Sequence, residues 1–227
     1  MNTIIQTPTG KLETSLEFYR NLEFRTLSAD PHIVTDGKAV IMINPRRSAR
    51  AGVKFYRDSW SDVLGQLEEI THVTRVEDGY FFSDPSGSWY YLMESASPVR
   101  FALEEKSGSV LGNYMGLSLE TTDMKRSIRI LEILGFTHQS GAVDQGWITY
   151  ANEDGFIISL LVPPCPHLFF NPSMTYFNGK NNLAVIEKIR ALPIPIVEEI
   201  TLFNKEGIVD NIIIRDPGGY GFFIFSD

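Results

Sequence analysis

Residues 80–93, YFFSDPSGSWYYLM, return near the end of the chain as 212–225, IIIRDPGGYGFFIF. Both stretches predict strand, tight turn, strand. Asp84, Pro85, Ser86 and Gly87 supply what a type I turn needs: an acceptor side chain first, a fixed φ second and a glycine fourth. After the turn Trp89, Tyr91 and Met93 alternate with Tyr90 and Leu92, and Gly221, Phe223 and Phe225 alternate with Phe222 and Ile224. Both faces of each strand are therefore largely apolar, and both must be covered. One face calls for a helix, the other for a second hydrophobic surface that can line a cavity.

The hairpin is one part of a longer repeat. Leu12, Leu16, Tyr19 and Leu22 recur as Met124, Ile128, Leu131 and Leu134, each displaced by 112 positions, and the spacing of 4, 3 and 3 marks one face of a helix. The turn is displaced by 132 positions, from Asp84 to Asp216, so the second half has gained 20 residues between its first helix and last hairpin. The proline-rich segment 163–172, PPCPHLFFNP, is the place for them, lying across the second half's cup or in a subunit contact. Each half divides again into strand, helix and three strands. The modules are 1–47, 48–98, 113–164 and 165–227, giving domains 1–98 and 113–227 joined by an aperiodic linker, 99–112. Ser59 and Asp62 suit a capping box for the second helix, Asp123 caps the third and Gly135 ends it.

The 227 residues carry a formal net charge of -8, and the one basic cluster is Arg46, Arg47 and Arg50. That balance repels phosphate backbones and argues against a nucleic-acid partner. The start, MNTIIQTPTG, has no signal-peptide pattern, and no apolar run approaches the roughly 20 residues of a membrane span, so the expectation is a soluble, cytoplasmic protein with no membrane partner. The single cysteine, Cys165, has no intramolecular disulfide partner. Glycine-rich phosphate loops, nucleophile elbows and triad motifs are missing.

The helix SLEFYRNLEF (15–24), its copy SIRILEILGF (127–136) and the hairpins DPSGSWYYL and DPGGYGFFI, set in four βαβββ quarters, resemble the vicinal oxygen chelate superfamily of glyoxalases, bleomycin-resistance proteins and extradiol dioxygenases. The resemblance implies an α+β fold: four modules paired into two cup-shaped mixed sheets with helices outside. It also implies a divalent metal or a small organic ligand in a cup, and metalloenzymes of the group place His, Gln or Glu on the first and last strands of the quarters. Here those positions fall at Ile4, Gly116, Tyr91 and Phe223, with Met42, Gly52, Ser159 and Thr175 at the others. None is a metal donor of the required kind. The expectation is no metal and no cofactor.

Strand parity assigns Ile5, Ile41, Ile43, Val53, Phe55, Tyr90 and Leu92, with Leu117, Leu119, Ile158, Leu160, Phe222 and Ile224, to the helix-packed faces. The first cup then holds Ile4, Gln6, Met42, Asn44, Lys54, Tyr56, Trp89, Tyr91 and Met93, a crowded set. The second holds Gly116, Ser118, Glu120, Ser159, Leu161, Gly221 and Phe223, whose small side chains predict the larger cavity. Gly116, Ser118, Glu120, Ser159 and Phe223 are the candidate ligand-binding residues, and leucine at Gly116 or Ser159 should fill that space. Each also has a plain structural reading: Trp89, Tyr91 and Met93 as a second hydrophobic core, Glu120 as an exposed strand end, Arg46, Arg47 and Arg50 as a solvated connection or an anion clamp at the rim. His32, His72 and His138 read as surface residues, and Cys165 with His167 as a loop pair short of a third donor. Two functions stay open: a metal-free protein, monomer or homodimer, binding an apolar or aromatic small molecule, and a diverged glyoxalase- or dioxygenase-like lyase or isomerase using Glu120 or another group; a third, plainer one is a scaffold whose cups are packed shut.

Overall fold

The computed structural model describes residues 2–163, 172–202 and 204–226. The first half runs β1 (Asn2–Pro8), α1 (Leu12–Asn21), β2 (Arg25–Ala29), β3 (His32–Thr35) and β4 (Val40–Asn44), then β5 (Gly52–Tyr56), α2 (Ser61–Glu68), β6 (Thr74–Val76), β7 (Gly79–Ser83) and β8 (Trp89–Met93). The second half repeats that order as β9 (Tyr114–Glu120), α3 (Met124–Ile133), β10 (Thr137–Ala142), β11 (Trp147–Ala151) and β12 (Ile157–Leu161), then β13 (Ser173–Phe177), α4 (Asn182–Arg190), β14 (Ile196–Ile200), β15 (Asn211–Arg215) and β16 (Gly221–Phe225). Each quarter is βαβββ, as the repeat predicts.

Local chemistry explains most of the boundaries. The Gly87 N–H donates to the Asp84 carbonyl at 2.9 Å and the Gly219 N–H to that of Asp216 at 3.0 Å, closing the two repeated turns. Asp123 accepts the Arg126 N–H at 3.0 Å and caps α3, and Gly135, with φ +87°, ends it in the left-handed region. The start of α2 departs from the capping box. Arg57 draws Asp62 into an ion pair, and Ser59 reaches no further than the Ser61 N–H at 3.3 Å. The helix is pinned to the end of β8 instead, where the Trp60 N–H donates to Glu94 Oε1 at 3.0 Å and its indole N–H to the Met93 carbonyl at 3.2 Å.

The strands form two eight-stranded sheets of the same topology, β2-β3-β4-β1-β5-β8-β7-β6 and β10-β11-β12-β9-β13-β16-β15-β14. At each centre the first strand runs parallel to the last strand of its own module and antiparallel to the first strand of the next. The residues that parity assigned to the helix side enter one buried cluster that includes Tyr19, Leu67, Leu131 and Ile186 from the four helices. That cluster crosses between halves: the Phe18 ring lies 5.7 Å from Phe222 and that of Phe55 5.8 Å from Phe136. The convex faces of the sheets therefore meet through their helices, leaving each concave face with its own small apolar cluster, Ile4, Ile33, Val40, Met42 and Tyr56 in one and Ile200, Ile213 and Phe223 in the other. The linker is a strap on the first of these. Val99 and Phe101 pack against its cluster, the Glu104 N–H donates to the Gly37 carbonyl at 2.7 Å, and Arg25 lies over the Phe101 ring while pairing with Glu104. Among the described residues no helix is long and apolar enough to cross a membrane.

Candidate functional site

Strand register decides which side chains share the middle of each cup. In the first sheet Ile4 on β1 pairs with Lys54 on β5, which pairs with Tyr91 on β8. In the second, Gly116 on β9 pairs with Thr175 on β13, which pairs with Phe223 on β16. The rows are equivalent, so the counterpart of Thr175 is Lys54 and not Gly52. The sequence-based position was two residues short because residues 45–51 join the modules with no repeat to count across. Gly52 has another task. A Cβ there would stand 2.0 Å from the Trp89 carbonyl oxygen, so glycine permits the close approach of β5 and β8.

The first cup is not filled by its large side chains. The Trp89 and Tyr91 rings pack against Phe81, with centroids 5.4 and 6.1 Å away, and a cavity of about 410 Å³ opens beside Lys54 without them in its lining. Met42, Tyr56 and Met93 form its apolar walls, Lys54 lines it from the central strand, and Asn44 and Arg46 add polar edges. His32, expected on the surface, and Arg46, from the basic cluster, both border this space. The Lys54 ammonium sits over the Tyr91 ring, 5.5 Å from its centroid, and has no hydrogen bond or ion pair among the described residues. Burial lowers its pKa below that of an ordinary lysine, Arg46 pushes the same way and Asp78 opposes. Tyr56 is pushed up to about 12 by burial and by Asp78, and burial raises Tyr91 as well, so both phenols stay neutral at physiological pH. Beside this row the buried Gln6 side chain donates to the Arg50 carbonyl at 3.0 Å and accepts from Asn44 Nδ2 at 2.9 Å. These amides are fixed before any ligand arrives.

In the second cup the candidates fall on neighbouring rows. Ser118 pairs in register with Ser159, and Glu120 with Leu161 one row further on. The Ser159 and Thr149 hydroxyls hydrogen-bond at 2.9 Å, and the Thr175 hydroxyl donates to the Gly116 carbonyl at 3.0 Å. Phe223 stacks on Phe225 at 4.8 Å. Gly116 borders a small cavity of about 150 Å³ with Tyr114 and Ile157, and its missing side chain also has a structural task. Its φ is +122°, and a Cβ there would lie 2.5 Å from the Ile157 carbonyl oxygen and 2.7 Å from the Ile157 Cβ. Its missing side chain lets the chain turn and two strands approach, so leucine there would disrupt the sheet and not fill a pocket. Residues 164–171, including Cys165 and His167 and most of the proline-rich segment, lie outside the described residues.

Among the described residues no three His, Cys, Asp or Glu side chains converge on a common point. Lys54 is the candidate that sequence reading placed in the first cup without giving it a role. Its signal was local: a single charge in GVKFY, on the cup-facing side of an otherwise apolar strand.

No family model matches the chain, and no curated protein matches it. Solved structures do. Homoprotocatechuate 2,3-dioxygenase from Brevibacterium fuscum, in complex with 3,4-dihydroxyphenylacetate, is 16% identical with a TM-score of 0.59, over 99% of this chain and 80% of that one. The enzyme of the same name from Arthrobacter globiformis is 17% identical with a TM-score of 0.56, over 99% of this chain and 78% of that one. BphC, a halotolerant catechol dioxygenase, is 14% identical with a TM-score of 0.51, over 99% of this chain and 87% of that one. At these identities the likeness concerns architecture: the chain shares an α+β fold with these dioxygenases along nearly all of its length, the fold implied by its resemblance to the vicinal oxygen chelate superfamily.

Proposed function

We propose that this protein binds a small organic molecule without a metal, and that the first cup is its chamber. One observation carries the reading: Lys54 lines the cavity, and it stands in the row Ile4–Lys54–Tyr91, where metalloenzymes of the superfamily that the chain resembles place their ligands. An ammonium repels a divalent cation, isoleucine offers no donor, and a phenol with a raised pKa is a poor one. The equivalent row, Gly116–Thr175–Phe223, offers a single hydroxyl already used by the Gly116 carbonyl. The cavity volume falls within the roughly 300–1,000 Å³ usual for small-molecule sites. Elemental analysis of the purified protein should find no stoichiometric zinc, iron or manganese. A thermal-shift screen of small aromatic compounds should yield hits that disappear in Ala96→Trp, which places an indole on an exposed residue of the cavity lining. One tightly held transition metal per chain, or hits indifferent to Ala96→Trp, would overturn the reading.

A second reading, a diverged lyase or isomerase working in the same cup, is favoured by Lys54 alone, since a lysine with a lowered pKa can take a proton from a bound substrate. Turnover lost in Lys54→Met by a protein that still binds ligand would select it.

A further inference from the structure

The cup's polar groups point to the chemistry of what it holds. Lys54 lies on a central strand between Val53 and Phe55, both buried in the helix-side core, so its backbone position is fixed. The side chain enters the cavity half-buried, and burying an ammonium without a partner costs free energy that an exposed lysine would not incur. The carboxylates on the same cavity relieve it only in part, through the charge of Asp78 acting without contact. Asp30 and Asp78 come from the β2–β3 and β6–β7 turns at the two outer edges of the sheet, and neither forms an ion pair with Lys54. Arg46 adds a second cation to the lining. The remaining walls are apolar and adaptable: Met42 and Met93 are unbranched thioethers that reshape around a ligand, and Tyr56 presents an aromatic surface.

Resting on the reading of the first cup as a chamber, we propose that its ligand is an organic anion, with one acidic group on an apolar or aromatic body, and that Lys54 is the counter-charge. The anion meets Lys54 at the centre of the sheet, where the amides of Gln6 and Asn44 are held in place, and the body lies against Met42, Tyr56 and Met93. The ammonium thus supplies, as a fixed point charge, the positive end that metalloenzymes of this fold obtain from an ion.

The test uses two fluorescent probes that share an aromatic body and differ in one sulfonate, 8-anilinonaphthalene-1-sulfonate and N-phenyl-1-naphthylamine, titrated into the full chain. The wild type should bind the sulfonate about tenfold or more tightly than the neutral probe, a difference of about 1.4 kcal/mol. Lys54→Met should remove most of that preference, Lys54→Arg should keep it, and Ala96→Trp should weaken both probes. If Lys54→Met keeps the preference while Ala96→Trp blocks both probes, the anion inference is wrong and the chamber stands. If Ala96→Trp changes neither, or neither probe binds the wild type, the chamber reading fails and takes this inference with it.

Discussion

The hydroxyl of Tyr19, on the first helix of the first half, donates to Asp216 Oδ2 in the last turn of the second half at 2.8 Å. Thr7 donates to the same oxygen at 2.7 Å, and the Tyr220 N–H donates to Oδ1 at 2.7 Å. A reciprocal bond runs the other way, from the Tyr176 hydroxyl to Asp36 Oδ2 at 2.9 Å. The halves are therefore fastened by buried tyrosine–carboxylate pairs as well as by apolar packing. Tyr19→Phe keeps the ring and removes one donor from a buried acceptor. It should cost about 1.5–3 kcal/mol in denaturant unfolding, the range for hydrogen bonds to charged groups. A loss below about 0.5 kcal/mol would show that Thr7 and the turn backbone satisfy Asp216 alone.

Burial raises the Asp216 pKa, and the hydrogen bonds from Thr7, Tyr19 and the turn backbone only partly oppose it. The sign follows from proton counting. Between the ordinary aspartate value and the raised one, the folded protein binds more protons than the unfolded chain, so this group's contribution to stability falls as pH rises through that window and is flat above it. Asp216→Asn cannot titrate there. The stability of the wild type relative to this variant should therefore increase as pH is lowered from 7 toward 4, measured by urea unfolding at several pH values. An opposite slope would mean that the hydrogen bonds outweigh burial.

Gly116 and Gly135 both have positive φ but differ in their surroundings. At Gly135 an added Cβ meets nothing within 4 Å, whereas at Gly116 it meets the Ile157 backbone. Alanine at Gly135 should cost roughly 1–2 kcal/mol, the backbone term alone. Alanine at Gly116 should cost about 3 kcal/mol or more, because a strand must move as well. Equal losses would indicate that β9 and β12 separate easily, and would restore Gly116 as a place where a ligand fits.

The modules were legible because their signals are local. Leu12, Leu16, Tyr19 and Leu22 follow the helical period, Asp84 and Asp216 announce their turns, and parity placed Ile5, Phe55, Leu117 and Phe222 on the face that the helices cover. What lay beyond reach was fixed by partners far along the chain. Lys54 enters the Ile4–Tyr91 row only through the pairing of β5 with β1 and β8, and the cavity beside it is assembled from residues as far apart as Asp30 and Pro98. The linker shows the same limit. It has no periodicity, yet Val99 and Phe101 find an apolar surface that the sequence around them does not announce.

That contact gives a further prediction. Phe101→Ala removes a ring that Arg25 and the first cup's cluster both use. Partial exposure limits the loss to about 1–2 kcal/mol. The larger effect should be local: protease cleavage between residues 95 and 110 should become faster than in the wild type, while cleavage elsewhere is unchanged. Uniform acceleration across the chain would mean that the linker unfolds only together with the domains.

The charge on Lys54 supplies the last prediction. The ammonium is the form that holds an anion, and burial with the Arg46 charge lowers its pKa below the ordinary 10.5, while Asp78 raises it. Affinity for 8-anilinonaphthalene-1-sulfonate should therefore be lost as pH rises, at a value below that of an exposed lysine. Tyr56 and Tyr91, beside Lys54 in the cup, have raised pKa values and do not supply this loss; His32, Asp30 and Asp78 border the same cavity. Asp78→Asn removes the carboxylate that opposes the shift and should move the loss to lower pH, whereas Arg46→Gln removes the repelling cation and should move it higher. N-phenyl-1-naphthylamine, lacking the charge, should bind evenly across the range and report any unfolding. A sulfonate curve that stays in place in both variants would mean that the loss does not come from Lys54.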